Sequence, residues 1–273
     1  MKLSPFIPAL IPHFLGLADQ EGWVADQWEF DFLLSSNPNC CWCAIDHDEH
    51  PVGFVTAIRH GRSGWIGNLI VADASRGSGI GNALFLRAVE ALRGDGVVTV
   101  WLTASEMGKG MYERHGFRAV DTVIRWSGGE AVRHPEGTGD SGGWDFESCC
   151  AIDSSAWGDR RRELLAAVMQ RGAVISEPGG HAVLQPVGGM MQLGPYTAGD
   201  ASVAGRLLDR ALRQVTAGRR LCIDVPASNR AAGRLYSRRR LRMTGVTTLM
   251  YAGEKPEYRP KFIFGLATMG SCG

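Results

Sequence analysis

The first half of the chain breaks into short apolar runs, each closed by polar or glycine-rich residues. "CWCAID" and "PVGFVTAIRH", joined by the polar "HDEH", predict two strands, and "GWIGNLIVA" predicts a third. Beyond a glycine-rich break, "IGNALFLRAVEALR" places apolar residues at 80, 83, 84, 88, 91 and 92, a helical stripe. "GVVTVWLTA" has the β-branched density of a buried strand. "GKGMYERHG" predicts a short helix stopped by Gly116, and "FRAVDTVIRW" a last strand.

The second half repeats this order. "HAVLQPV" and "GGMMQLG" predict a hairpin, "AGDASVAGRLLDRALRQ" a helix and "RRLCIDV" a strand. "SNRAAGRLYSRRR" predicts another helix and "LRMTGVTTLMYAG" another strand. "MYERHGF" aligns with "LYSRRRL", setting Tyr112 against Tyr236. Between the halves, "SGGEAVRHPEGTGDSGGW" has little to bury and predicts a linker. The pattern describes an α+β unit duplicated within one chain. The expected domains are residues 1–126 and 144–273, with 127–143 as the linker.

Composition narrows the function classes. A hydrophobic share of 45% and a charged share of 21% fit a globular protein, and a formal net charge of +1 gives no support for nucleic-acid or membrane-surface binding. No run has transmembrane length, and three prolines break the opening "MKLSPFIPALIPHFLGL", so a cytoplasmic protein is expected. The seven cysteines are odd in number and follow no secretion signal, which argues against a disulfide framework. Cys40 and Cys43 only frame a strand-like run, and no metal is expected. The arginine runs at 160–162 and at 238–240 with 242 read as solvated helix faces.

The chemistry concentrates in "IVADASRGSGIGNALF", residues 70–85, where a strand passes through Gly77, Gly79 and Gly81 into a helix. Glycines cost stability inside elements, so three together imply a tight turn or a backbone that approaches a ligand. A P-loop needs Lys-Ser/Thr after the last glycine, where Asn82 stands. A dinucleotide-binding turn needs Gly or Ala there, and it normally follows the first strand of a parallel unit. What remains is a structural turn or an anion site. Bare amides at 77–82, a helix N-terminus and Arg76 together suit a pyrophosphate.

"VADASRGSGIGNAL" resembles the acetyl-CoA signature of the GNAT superfamily of N-acetyltransferases, Arg/Gln-x-x-Gly-x-Gly/Ala, and "MYERHGF" follows one strand later as it does in that family. The resemblance covers residues 1 to about 126, and the tail "MYAG…IFGLATMG" resembles the ending of a C-terminal domain in tandem members of the family. With the repeat it implies two GNAT-like domains, the second degenerate, each a mixed, mostly antiparallel sheet flanked by helices. It implies that acetyl-CoA binds at Arg76, Gly77, Ser78, Gly79, Ile80, Gly81 and Asn82, with its pantetheine arm along Leu69, Ile70 and Val71. The amide of Val71 or Ile70 would polarise the thioester carbonyl, and Tyr112 would protonate the departing thiolate. An amine acceptor must lose a proton, since an alkylammonium has a pKa of about 10. No base declares itself: Glu106 is a candidate that also reads as a helix-start residue, and His60 and His115 are the nearby imidazoles. Asn68 either orients an acceptor or faces solvent.

The second copy departs from the signature. "LGPYTAGDASVAGRLL" replaces the glycine loop and puts Asp200 at the helix start, where a carboxylate repels a pyrophosphate. One CoA per chain is expected, with the second copy walling the acceptor side of the cleft. The implied function is direct acetyl transfer to an amine, a small molecule before a protein lysine or N-terminus, and a homodimer is compatible with it. A non-catalytic acyl-CoA sensor or scaffold is the rival reading.

Overall fold

The computed structural model describes residues 1–128 and 145–273. Most of the stretch read as a linker therefore lies outside the described residues, while Ser127 and Gly128 end a strand. The first half runs β1 (Lys2–Pro5), α1 (Ile11–Gln20), α2 (Gln27–Ser36), β2 (Trp42–Ile45), β3 (Pro51–Arg59), β4 (Ser63–Val71), α3 (Ile80–Gly94), β5 (Thr99–Ala104), α4 (Glu106–Arg114) and β6 (Arg118–Gly128). The second half runs α5 (Phe146–Trp157), α6 (Arg162–Arg171), β7 (Ala173–Glu177), β8 (Gly180–Val187), β9 (Met190–Ala198), α7 (Ala201–Gln214), β10 (Leu221–Pro226), α8 (Arg230–Arg238), β11 (Arg242–Gly253) and β12 (Ile263–Gly265). The repeat seen in the sequence is thus a repeat of elements, an α+β fold in two copies.

Among the described residues the strands join into one sheet, ordered β1-β2-β3-β4-β5-β11-β6-β10-β9-β8-β7, with β12 on β9. The two copies exchange their last strands. β11, from the end of the chain, pairs antiparallel with β5, Leu249 facing Thr103 and Tyr251 facing Trp101. β6 instead pairs with β10 of the second copy, Trp126 facing Ile223. Strand pairing cannot distinguish the two β-rich runs locally, so the exchange is invisible to hydrophobic pattern alone.

The cores follow from this weave. Ile80, Leu84, Ala88 and Leu92 of α3 pack with Val100, Leu102 and Met250 on one face, so a second-copy strand completes a first-copy core. α7 and α8 do the same for the second copy through Leu207, Leu208 and Tyr236, with Trp126 supplied from β6. On the opposite face α1, α2, α5 and α6 share one cluster, in which Phe14, Phe30, Trp101, Trp157 and Leu165 belong to both halves. No helix among the described residues is long and apolar enough to cross a membrane.

One expectation fails here. Arg161 is not on a solvated face: it is 4% exposed, gives a two-pronged pair to the fully buried Asp153, and stacks on Trp157 at 4.4 Å. Runs of charge report average exposure, and a single turn of chain between α5 and α6 tucks one arginine inward while Arg162 stays exposed.

Candidate active site

The sheet opens where the predicted site lies. β4 runs parallel to β5 only from Ser63 to Trp65, opposite Thr99 to Trp101, and the strands part beyond that point. On its other side β4 stays paired to β3, with a bulge between Phe54 and Thr56. Asn68 lies at this bulge with φ of 54°, a left-handed conformation that asparagine tolerates better than most residues. The unpaired edge of β4 from residue 66 onward is the kind of backbone an extended ligand can join as an added strand.

A cavity of about 300 Å³ occupies the opening. First-copy walls come from Asn68 and Leu69 on β4, Thr103 on β5 and Ser105 just beyond it, Tyr112 on α4, and Trp23 and Val24 between α1 and α2. The second copy closes the far side with Met190 and Gln192 of β9, Cys222 of β10 and Thr247 of β11. The segment Thr268–Ser271 passes through the same wall, its Gly270 carbonyl so close to Gly67 that a Cβ there would meet it at 2.3 Å.

Glu29 projects into this cavity from the first turn of α2. Asp26 caps that helix by accepting from the Glu29 amide, and Arg171 of α6 pairs with Asp26 while stacking on Trp28 at 4.3 Å. Asn68 donates from Nδ2 to Glu29 Oε1 at 2.8 Å and to Thr56 Oγ1 at 3.0 Å. Burial outweighs these bonds and raises the Glu29 carboxyl to about 7, although Asn68, Ser271 and the Arg171 charge favour its ionised form. A carboxylate poised near neutrality beside an open strand edge can take a proton from an amine.

The glycine loop keeps its amides free. Gly77 and Gly79 adopt φ of 77° and 85°, which side chains resist, while a Cβ at Gly81 would meet only Val71, at ordinary contact distance. Gly79 is the N-cap of α3 and offers no side chain to its first amides, so those donors and the helix dipole face outward together. Ser78 turns its hydroxyl onto the Ser75 carbonyl at 2.6 Å. Arg76 is engaged within the protein, by Val71 O and Asp73 at 3.0 Å each and by Glu21. In the second copy the corresponding helix α7 starts with Asp200, which accepts from the Ser202 and Val203 amides at 2.7 and 2.9 Å. The anion-binding donors of that copy are already taken.

Tyr112 and Tyr236 diverge in the same way. Tyr236 is fully buried and donates to the Phe264 carbonyl. Tyr112 packs its ring against Phe85 and Phe117, lines the cavity, and is pushed up to about 12 by burial, so it holds its proton at any ordinary pH. Leu69 lines the cavity, while Ile70 is buried on the α1/α2 face and Val71 packs, partly buried, in the core beneath α3. Glu106 lies exposed in the first turn of α4, outside the cavity lining. His115 contacts Asn82 Oδ1 through Nε2 at 2.6 Å, and His60 sits beside Asn37 and Arg59 in a separate polar pocket. The sequence pattern does not single out Glu29 or Arg125: α2 carries no motif quoted above, and Arg125 is one charge within a predicted strand. A glutamate three residues after an Asp N-cap was the available signal.

Residues 10–117 match the model of the acetyltransferase (GNAT) family, and residues 149–265 match that of an acetyltransferase (GNAT) domain. No curated protein matches the chain in sequence. Among solved structures, a Pyrococcus horikoshii protein assigned as an acetyltransferase superposes with a TM-score of 0.85 at 25% identity, covering 99% of this chain and 95% of that one. A GCN5-related N-acetyltransferase from Sphaerobacter thermophilus gives 0.67 at 18% identity over 94% and 98% of the two chains. Eis1 from Mycobacterium abscessus gives 0.54 at 14% identity over 93% and 74%. With both copies matched and an open β4 edge beside an uncapped helix in the first, the chain belongs to the GNAT acetyltransferases and carries two GNAT domains in tandem, an acyltransferase architecture.

Proposed function

We propose that this acyltransferase moves an acetyl group from acetyl-CoA to the amine of a small molecule, with Glu29 as general base. The observation that carries the reading is Glu29 itself, a carboxyl raised to about 7 and held by Asn68 in the cavity where β4 and β5 part. The free amides of Gly79, Ile80 and Gly81 at the start of α3 suit the pyrophosphate, and Arg76 shapes that loop through Val71, Asp73 and Glu21. The open edge at Leu69, Ile70 and Val71 suits the pantetheine arm and supplies an amide for the carbonyl.

Glu29 accepts the proton of the acceptor ammonium, and the freed amine attacks the thioester carbon. The N–C bond forms, the C–S bond breaks, and Tyr112 donates to the departing sulfur. The attacking nitrogen sheds its second proton, which replaces the one Tyr112 gave up, and Glu29 releases its own to solvent, leaving an amide and a free thiol. The enclosing walls from Trp23, Met190 and Met269 favour a small acceptor over a polypeptide segment. Seven free cysteines suit a reducing compartment such as the cytoplasm.

The test is thiol release from acetyl-CoA with a panel of amines, run alongside calorimetric titration with CoA. Amine-dependent release with one CoA per chain is expected. CoA binding without release under any amine would instead favour the acyl-CoA sensor.

A further inference from the structure

Among the described residues lining the cavity, Glu29 and Arg125 are the two with formal charge, and they stand on different walls. Arg125 is rigidly held: Nε and Nη2 each donate at 2.7 Å to the two oxygens of Asp224, which is fully buried and also accepts from Gln192. That pairing uses one edge of the guanidinium. Nη1, on the other edge, has no hydrogen bond among the described residues, and the side chain retains 24% exposure where it meets the cavity. Thr247, on the neighbouring strand β11, also lines the cavity, and its Oγ1 is enclosed without a hydrogen-bond partner among the described residues. An enclosed hydroxyl and a pinned guanidinium edge are both donors awaiting an acceptor.

The two ends therefore ask for opposite chemistry. Glu29, on the β4 side, receives a cation. Arg125 and Thr247, on the β6 side, receive an oxygen acceptor, best an anionic one. β4 and β6 are three places apart in the sheet, about 14 Å between backbones at ordinary strand spacing, and the side chains reach inward from both. The space between them is lined by Met190 and Met269, apolar and adaptable.

Building on acetyl transfer as the reaction, we propose that the acceptor is a small aminocarboxylate, bound with its ammonium at Glu29 and its carboxylate at Arg125 and Thr247. The cavity volume, at the low end of ordinary ligand pockets, suits a free metabolite of this class better than a peptide.

The experiment compares unbranched aminocarboxylates of increasing length with their carboxamides and with alkylamines of equal length, measuring thiol release from acetyl-CoA by the intact chain. The best aminocarboxylate should exceed its alkylamine in kcat/KM by roughly 10–100-fold, as charged hydrogen bonds allow, with the carboxamide between them. Arg125→Met would strand the buried Asp224, so it is made together with Asp224→Asn, and the preference should fall towards unity. Thr247→Val, which keeps the shape, should erode the same preference by a smaller factor. Alkylamines that turn over as well as aminocarboxylates would overturn the inference and leave acetyl transfer standing. Thiol release with no amine at all would overturn both.

Discussion

Asn68 donates to Glu29 at 2.8 Å, tying the bulge of β4 to the first turn of α2. The bulge that turns Asn68 to a φ of 54° sits where the sheet opens, so one local distortion both frees a strand edge and aims the proposed base along it. Both amide hydrogens of Asn68 are spent, on Glu29 and Thr56, which fixes the amide and leaves the second carboxylate oxygen of Glu29 for other partners.

Glu29→Gln should lower kcat by about 10²-fold or more while leaving CoA affinity unchanged, because glutamine keeps the shape and the Asn68 contact but accepts no proton. The ionised carboxylate is the working form, so wild-type kcat/KM should rise with pH through about 7, and the variant should lose that limb. The linked stability effect runs the other way. A carboxyl raised in the folded state contributes most when protonated, below its ordinary value of 4.5, and that contribution fades as pH climbs through about 7. Thermal unfolding of wild type against the variant across this window would check the sign.

Tyr112→Phe and Tyr236→Phe should separate chemistry from architecture. The Tyr112 hydroxyl has no hydrogen bond among the described residues and lines the cavity, so its loss should lower kcat by roughly 10²-fold with little change in melting temperature. Tyr236 donates to Phe264 in the second core, so its loss should destabilise by about 1–3 kcal/mol with acetyl transfer intact. Steady-state kinetics and melting curves on the pair would expose a reversed assignment.

Gly79→Asp transplants into the first copy the cap that Asp200 provides in the second. A Cβ at Gly79 meets nothing within 4 Å, and Asp is among the residues that tolerate the left-handed conformation found there. The new carboxylate would stand beside the first amides of α3, from a left-handed backbone rather than the extended one from which Asp200 caps α7, and its charge should lower CoA affinity by roughly 10²-fold or more. Unchanged affinity by calorimetry would mean that these amides do not hold the pyrophosphate.

The glycine loop was readable because its chemistry is local: the turn, the uncapped helix and the approach of a ligand are written in consecutive residues. Asp200 was readable for the same reason, being one side chain at one helix start. Glu29 was not, because its role depends on burial against Asn68, some 39 positions later, and on Ser271 from the far end of the chain. Arg161 misled because charge runs carry no information on which member meets a buried Asp153. The exchange of β6 and β11 was hidden for a different reason. Both are long, similar in pattern and compatible with either neighbour, so only the three-dimensional weave decides.

That weave changes what truncation should do. By sequence alone, removing residues 144–273 is expected to impair acceptor turnover more than CoA affinity, provided the shortened chain stays soluble. In the fold, removal takes β11 from between β5 and β6, leaving Thr99–Ala104 without its antiparallel partner and β6 without either neighbour. It also strips Met250 and Ala252 from the core beneath α3, and Leu249 and Tyr251 from the core on the other face. An open apolar edge of this kind invites aggregation. Residues 1–128 expressed alone should therefore be insoluble or unfolded by circular dichroism, whereas co-expression with 145–273 should restore a folded, CoA-binding pair. A soluble first half with native CoA affinity would show that β11 is dispensable to the first core.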